Sequence, residues 1–190
     1  MLIDRIIKFK IMFCILIFIL LFNSKAYSSQ YKLNKIENFN NPWGMSFINN
    51  KELIISEQTG KLILFNLING KKNEIQHNLN FIKIGQGGLL DIIHNKNFIW
   101  IAYTEILEEW EINGFFGTTT STSIAKGKFD RKNINFENIF QAQPPLETPK
   151  HYGSRLEIKD NYLFASIGER GEGMIAQDGT KHPGSIIRIH

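Results

Sequence analysis

The sequence predicts an all-β protein of the β-propeller class, and three observations lead there. Past Tyr31 the apolar residues fall in short runs parted by turn-forming residues, with no long stretch at helical spacing. Three hairpins look like copies of one another: Trp43-Gly44-Met45-Ser46-Phe47-Ile48 with Leu53-Ile54-Ile55-Ser56, Leu89-Leu90-Asp91-Ile92-Ile93 with Phe98-Ile99-Trp100-Ile101-Ala102, and Gly153-Ser154-Arg155-Leu156-Glu157-Ile158 with Leu163-Phe164-Ala165-Ser166-Ile167. Their turns fall near positions 49, 95 and 160. The first interval is close to the roughly 40 to 50 residues of a propeller blade, and the second fits a blade lengthened by an insertion at 105–117.

The elements follow in order. Strands are expected at 43–48, 53–56 and 61–67, separated by Asn49-Asn50 and Thr59-Gly60 and closed by Asn69-Gly70. A second group covers 89–93, 98–104 and 121–129, with Asn95-Lys96 as its turn and 105–117 as a long loop. A third covers 155–158, 162–167 and 185–189, with Asp160-Asn161 between the first two. Asn, Asp and Gly suit these turns because they accept positive φ or bond their own backbone. A β-sandwich is the alternative, disfavoured by the long loops at 105–117 and 141–152.

Residues 1–28 read as a signal peptide and 29–190 as the propeller portion. Arg5, Lys8 and Lys10 precede an unbroken apolar run at 11–22, the length of a signal-peptide core and short of a bilayer span. Small residues place cleavage after Ser28, with Ala26 as the second choice and an uncleaved anchor as the competing reading. The expected location is therefore periplasmic or secreted, with no stable membrane anchor once the leader is cut. The formal charge of +4 belongs mostly to the leader, which carries Arg5, Lys8, Lys10 and Lys25 against Asp4. No basic stripe remains to recruit nucleic acid. The single cysteine, Cys14, lies inside the apolar run. Cleavage leaves no thiol, which suits an oxidising compartment and excludes disulfides, thiolate metal sites and a cysteine nucleophile.

At roughly 40 residues per blade the chain after the leader holds about three blades and a fraction, too few to close a ring. The last strand, at 185–189, has neither turn nor cap behind it. The expectation is the front half of a longer propeller, whose bare strand edge invites self-association, including the pairing of two half-propellers into one ring.

Three segments hold the candidate chemistry. Lys83-Ile84-Gly85-Gln86-Gly87-Gly88 sets glycines and an amide ahead of an apolar strand, and it lacks the Lys-Ser/Thr end of a phosphate loop. Lys150-His151-Tyr152-Gly153-Ser154-Arg155 carries a long loop into a strand, and His151 there is the best general-base candidate because imidazole titrates near neutrality. His77, His94, His182 and His190 show no metal-ligand spacing. Gly168-Glu169-Arg170-Gly171-Glu172-Gly173 reads as a solvated loop. Glu169 and Asp178 fall short of the roughly 6 to 8 oxygens that calcium takes. The acidic stretch Glu108-Glu109-Trp110-Glu111 also reads as a solvated loop.

Taken together, Pro42-Trp43-Gly44-Met45-Ser46-Phe47, Ser56-Glu57-Gln58-Thr59-Gly60-Lys61-Leu62, Gly85-Gln86-Gly87-Gly88-Leu89-Leu90-Asp91, Ile124-Ala125-Lys126-Gly127, His151-Tyr152-Gly153-Ser154-Arg155-Leu156, Gly168-Glu169-Arg170-Gly171 and Ala176-Gln177-Asp178 stand in the order of one family. The chain resembles the glucose/sorbosone dehydrogenases, in particular their soluble periplasmic aldose sugar dehydrogenases dependent on pyrroloquinoline quinone (PQQ). The resemblance implies a six-bladed propeller, PQQ and calcium as cofactors, and an aldose sugar and an electron acceptor as partners. It implies oxidation of the aldose at C1 to the lactone, with His151 taking the hydroxyl proton as hydride passes to the quinone, and with Gln86 lining the quinone site. Arg155 is expected to anchor the loop through its guanidinium fork.

Two positions depart from the family pattern: Glu169 replaces the usual Asp, and Lys150 stands where the best-studied glucose dehydrogenases carry an acid just before the histidine. The cationic cofactor residues and the calcium loop of the family belong to the half that follows, so the chain alone is expected to be inactive. A non-catalytic exported propeller that binds sugar or protein is the competing reading.

Overall fold

The computed structural model describes residues 31–190. The signal peptide expected at 1–28, its expected cleavage site and Cys14 lie outside the described residues. Two compact units divide between Ile36 and Glu37. Of the first, residues 31–36 are described and form no hydrogen-bonded strand or helix. The second, Glu37–His190, holds twelve strands and one 3-10 turn.

The strands make three sheets in chain order. The first runs β1 (Pro42–Asn49), β2 (Glu52–Glu57), β3 (Leu62–Asn66), β4 (Lys72–His77), and takes β8 (Asn133–Ile134) on its outer edge. The second runs β5 (Leu89–Asn95), β6 (Phe98–Ile112), β7 (Phe115–Lys128), β9 (Phe136–Gln141). The third runs β10 (Gly153–Lys159), β11 (Tyr162–Ile167), β12 (Ile186–Ile189). All pairs are antiparallel except β4 with β8, where the β7–β9 connection crosses to the first sheet and buries Ile134 in its core. The opening hairpin of each sheet is one of the three repeats expected from sequence. The first strands pack side by side, β1 on β5 and β5 on β10, as consecutive blades do.

Burial between sheets explains the apolar runs. Strand β2 is buried along its whole length because the first sheet is covered on both faces. Ile54, Leu62, Leu64 and Ile75 join Leu89, Ile99, Ile101 and Tyr103 of the second sheet. Leu53, Ile55, Ile63 and Phe65 turn the other way under Phe39 and Leu67. A further core, with Leu90, Ala102, Ile124, Leu156 and Ala165, joins the second and third sheets.

The structure corrects the sequence reading in three places. Residues 105–117 are not a loop: β6 and β7 continue as one long hairpin closed at Asn113 and Gly114, which have φ of 53° and 80°. Positive φ at both central residues is what a tight hairpin turn requires, and Asn-Gly supplies it. Strands β4, β8 and β9 were not anticipated. They are outer strands with little to bury: Lys72-Asn73-Glu74-Ile75-Gln76-His77 places one side chain in the core. Residues 173–177 form a 3-10 turn inside the glycine-rich loop.

The inner strands meet at polar joints. Ser56 Oγ accepts from Gly44 N–H at 3.0 Å and donates to Leu90 C=O at 2.5 Å, tying the first sheet to the second. Asp91 Oδ2 accepts from Leu156 N–H at 2.8 Å, tying the second to the third. Glycine is required at 44, since a Cβ there would lie 2.8 Å from Asp91 Cα and Ile92 N. Gly44→Ala is expected to lower the free energy of unfolding by about 1–3 kcal/mol through this overpacking. The measurement is the urea midpoint, with Gly173→Ala, which meets nothing within 4 Å, as the neutral control.

Candidate active site

Three loops meet where β5 and β10 begin. The first, 83–88, is held from both sides: Gln86 N–H donates to Pro149 C=O at 2.9 Å, and Gln86 C=O accepts from Gln58 Nε2 at 2.7 Å. Its glycines serve the packing of these loops and do not open a cradle for a ligand. A Cβ at Gly85 would run into Pro149, at Gly87 into Thr104, and at Gly88 into Gln58.

The second loop, 142–152, spans from β9 to β10 and carries His151. What fixes it is Arg170, from the third loop, 168–185, between β11 and β12. This side chain is 2% exposed and its fork reaches five acceptors along the 142–152 loop and β7, among them Leu146 C=O at 3.5 Å from Nη2. Nε donates to Lys150 C=O at 3.0 Å and Nη1 to Thr120 C=O at 2.8 Å; Nη2 donates to Thr120 Oγ1 at 2.8 Å and also to Thr148 C=O. The guanidinium lies 3.8 Å over the Tyr152 ring, which is itself buried with its hydroxyl 2.9 Å from Thr120 Oγ1. Among the described residues no carboxylate lies within ion-pair distance of Arg170, so carbonyl and hydroxyl dipoles and the Tyr152 ring solvate the cation. Burial lowers its pKa, and the group still keeps its charge at physiological pH. The anchoring role expected of Arg155 thus falls to Arg170. Arg155 is exposed on β10, with Nη1 3.7 Å from Asp91 Oδ2.

His151 is gripped on its backbone and presented by its ring. Its N–H donates to Gln86 Oε1 at 2.8 Å, and its C=O accepts from Arg170 N–H at 3.3 Å. Gly168 lies so close to that carbonyl that any side chain there would overlap it. His151 has φ of 52° and Ser154 has φ of 97°, conformations that L residues adopt only when their surroundings impose them. The ring is half-exposed, and its Nδ1 meets Glu169 Oε1.

Glu169 is the residue of the candidate site that sequence reasoning left in a solvated loop. The hydrogen bond from His151, with smaller help from backbone N–H groups including that of Gly171, holds its carboxyl below the ordinary glutamate range. An ionised Glu169 makes Nδ1 the protonated ring nitrogen and leaves the Nε2 lone pair outward. With Oε1 taken by His151 N–H, the Gln86 Nε2 amide is also left with no partner among the described residues. The two side chains singled out from sequence therefore stand together, presenting an acceptor and a donor at one exposed lip.

The other candidates lie elsewhere. Asp178 accepts from Thr180 N–H at 3.0 Å and Oγ1 at 2.6 Å, and does not converge with Glu169. His77 lies 2.8 Å from Gly60 C=O, His94 3.2 Å from Phe47 C=O, and His182 Nδ1 accepts from Gln143 N–H at 2.9 Å. His190 packs on Tyr162. Among the described residues, no three His, Cys, Asp or Glu converge as a metal site.

Residues 39–190 match the family model described as glucose/sorbosone dehydrogenase. The chain belongs to the glucose/sorbosone dehydrogenase family. The aldose sugar dehydrogenase YliI of Escherichia coli K12 is 26% identical over 163 residues, which cover 80% of this chain and 42% of that protein. An uncharacterised protein of Synechocystis, slr1608, is 25% identical over 183 residues. Among solved structures, a glucose dehydrogenase superposes with a TM-score of 0.74 at 24% identity, covering 84% of this chain and 50% of that one. The apo soluble aldose sugar dehydrogenase of E. coli gives 0.68 at 26%, covering 79% and 44%. The PQQ-bound aldose sugar dehydrogenase of Streptomyces coelicolor gives 0.69 at 20%, covering 84% and 47%. The chain spans half or less of the length of these relatives. The three sheets are thus propeller blades, as the repeats predicted.

Two outcomes are expected. Arg170→Lys keeps the charge and loses the fork, and should cost about 2 kcal/mol or more in urea unfolding. Glu169 has a lowered folded pKa, so its share of loop stability is present above the unfolded glutamate value and is lost as pH falls through the folded one. A carboxyl 13C titration should place Glu169 below free glutamate, and His151→Asn should return it towards that value.

Proposed function

We propose that this chain is the portion of an exported PQQ-dependent sugar dehydrogenase that carries the catalytic base, acting on an aldose at C1 to give the lactone. The observation that carries the reading is the pairing of His151 and Gln86 on one lip, with Glu169 behind the imidazole. This donor set fits the reactive edge of a quinone: an amide N–H for a carbonyl oxygen, beside a nitrogen base. Cations for the carboxylates of PQQ and ligands for calcium are not assembled among the described residues.

When bound, the quinone supplies the hydride acceptor. His151 Nε2 then takes the proton of the C1 hydroxyl, which increases hydride donation from the same carbon. Glu169 keeps the imidazole in the tautomer that can accept that proton and steadies the positive charge it acquires. Gln86 fixes the position of His151 through the backbone while its amide remains available to the quinone. Arg170 holds the loop that carries the base and touches neither partner.

A non-catalytic sugar- or protein-binding role is the competing reading, supported by Lys150, whose side chain occupies the space beside Gly171 next to the base. Calorimetric titration of the chain with PQQ distinguishes the two. Binding that Gln86→Ala and His151→Ala each weaken supports the dehydrogenase reading. Binding insensitive to both favours the non-catalytic one. In a preparation that oxidises aldoses, His151→Asn should lower kcat by about 10²- to 10⁴-fold.

A further inference from the structure

The loop that carries His151 is tied to the third sheet at both ends, by two different kinds of group. At the far end Arg170 donates to Thr148 C=O and Lys150 C=O. At the entry the tie is His182. Its N–H donates to Gln143 C=O at 2.9 Å, and Gln143 N–H donates in return to His182 Nδ1, also at 2.9 Å. The backbone that follows has little else to offer, because Pro144 and Pro145 have no N–H to give. The next backbone tie is at Leu146, which bridges to Thr120. Past the entry an open hollow of about 540 Å³ separates Pro144 and Leu146 from Gly171, Met174 and Asp178, and Met174 is 80% exposed. Side-chain packing there gives the two loops little hold on each other.

The imidazole of His182 has a fixed seat. Its own C=O accepts from Ser185 N–H at 3.1 Å, and Gly184 N–H donates to Ile167 C=O at 3.0 Å, which fastens this turn to β11. The ring lies 5.1 Å from that of Phe140 on β9, which packs against the core between the second and third sheets. Around the ring stand Phe140 from β9, Gln143 from the 142–152 loop and, on its own loop, Lys181, whose Nζ is 3.7 Å from Asp178 Oδ2. Among the described residues no carboxylate lies within ion-pair distance of His182. Since Nδ1 accepts, the neutral ring carries its proton on Nε2. A second proton, on Nδ1, would set one N–H against another and add a charge that no neighbouring acid offsets.

We propose that His182 is a positioning residue: it ties the entry of the His151 loop to the third sheet while its ring is neutral, and releases that entry when the ring is protonated. The tie is therefore present above the pH range in which the imidazole gains its proton and is lost as pH falls through it. Arg170 keeps its charge throughout, so the His151 end of the loop stays held as the entry loosens. Loosening moves Pro144 and Leu146, one wall of the hollow, against the 171–178 stretch that forms the other. The proposal concerns the frame of the site and does not depend on the dehydrogenase reading.

The experiment uses the full chain and reads amide hydrogen exchange by NMR at neutral pH and at about pH 5, each rate divided by that of an unstructured peptide at the same pH. Protection of Gln143 N–H is expected to fall at least about fivefold at the acid pH. Leu146 N–H, bonded to Thr120 C=O at 3.0 Å, should hold its protection. His182→Asn puts an amide oxygen near the place of Nδ1 that accepts at either pH, and should abolish the fall while keeping the protection. Ring 15N shifts of the unsubstituted chain need no variant: at neutral pH Nδ1 of His182 should be bare and Nε2 protonated, and the opposite tautomer overturns the proposal. Gln143 protection that is equal at the two pH values overturns it too, as does a fall shared equally by Leu146, which reports general unfolding. A fall that persists in His182→Asn assigns the effect to another group, such as the His151–Glu169 pair, and also overturns it.

Discussion

A buried guanidinium with no acid beside it among the described residues organises this molecule around its candidate site. Arg170 reaches from the turn after β11 to the carbonyls of Thr120, Thr148 and Lys150, and so binds the second sheet, the 142–152 loop and the third sheet into one body. The loop between β9 and β10 is long and has few apolar anchors of its own. Without a multidentate donor its carbonyls would have to face water, and His151 would move with them. Five fixed N–H groups on one planar head suit the task in a way that lysine cannot match.

Given that anchor, the geometry of the base follows from backbone contacts more than from its own side chain. The peptide of His151 is held by Gln86 on one side and by Arg170 on the other, and Gly168 allows the approach. The strained backbone at His151 and Ser154 is what this enclosure costs, and the inter-sheet joints at Ser56 and Asp91 keep the sheet ends where the loops need them. Glu169 adds an ionised carboxylate behind the imidazole. The same residues thus serve as loop structure and as the candidate reaction centre.

The central strands were legible in the sequence because they are buried on both faces and bounded by residues with explicit turn chemistry. Outer strands such as β4 and β9 were not, since one buried residue in six leaves no periodic trace. The hairpin at 105–117 was legible in principle, for Asn113-Gly114 is a strong two-residue turn signal; its acidic, interrupted apolar pattern reads as loop because the arm has no core to face. His151 and Gln86 were recognisable as motif members, yet nothing in their separation by 65 positions says that they touch.

By itself, then, the sequence determined the all-β class, the three-blade repeat and the family, and singled out His151 and Gln86 as candidates, because these depend on local pattern and on side-chain type. Only the tertiary structure decided that Arg170 and not Arg155 holds the loop, that Glu169 stands behind His151, and that the motif glycines make room for neighbouring loops. Those are questions of which side chain reaches which distant backbone group. Long-range approach is set by the packing of sheets against one another, and local composition carries no record of it.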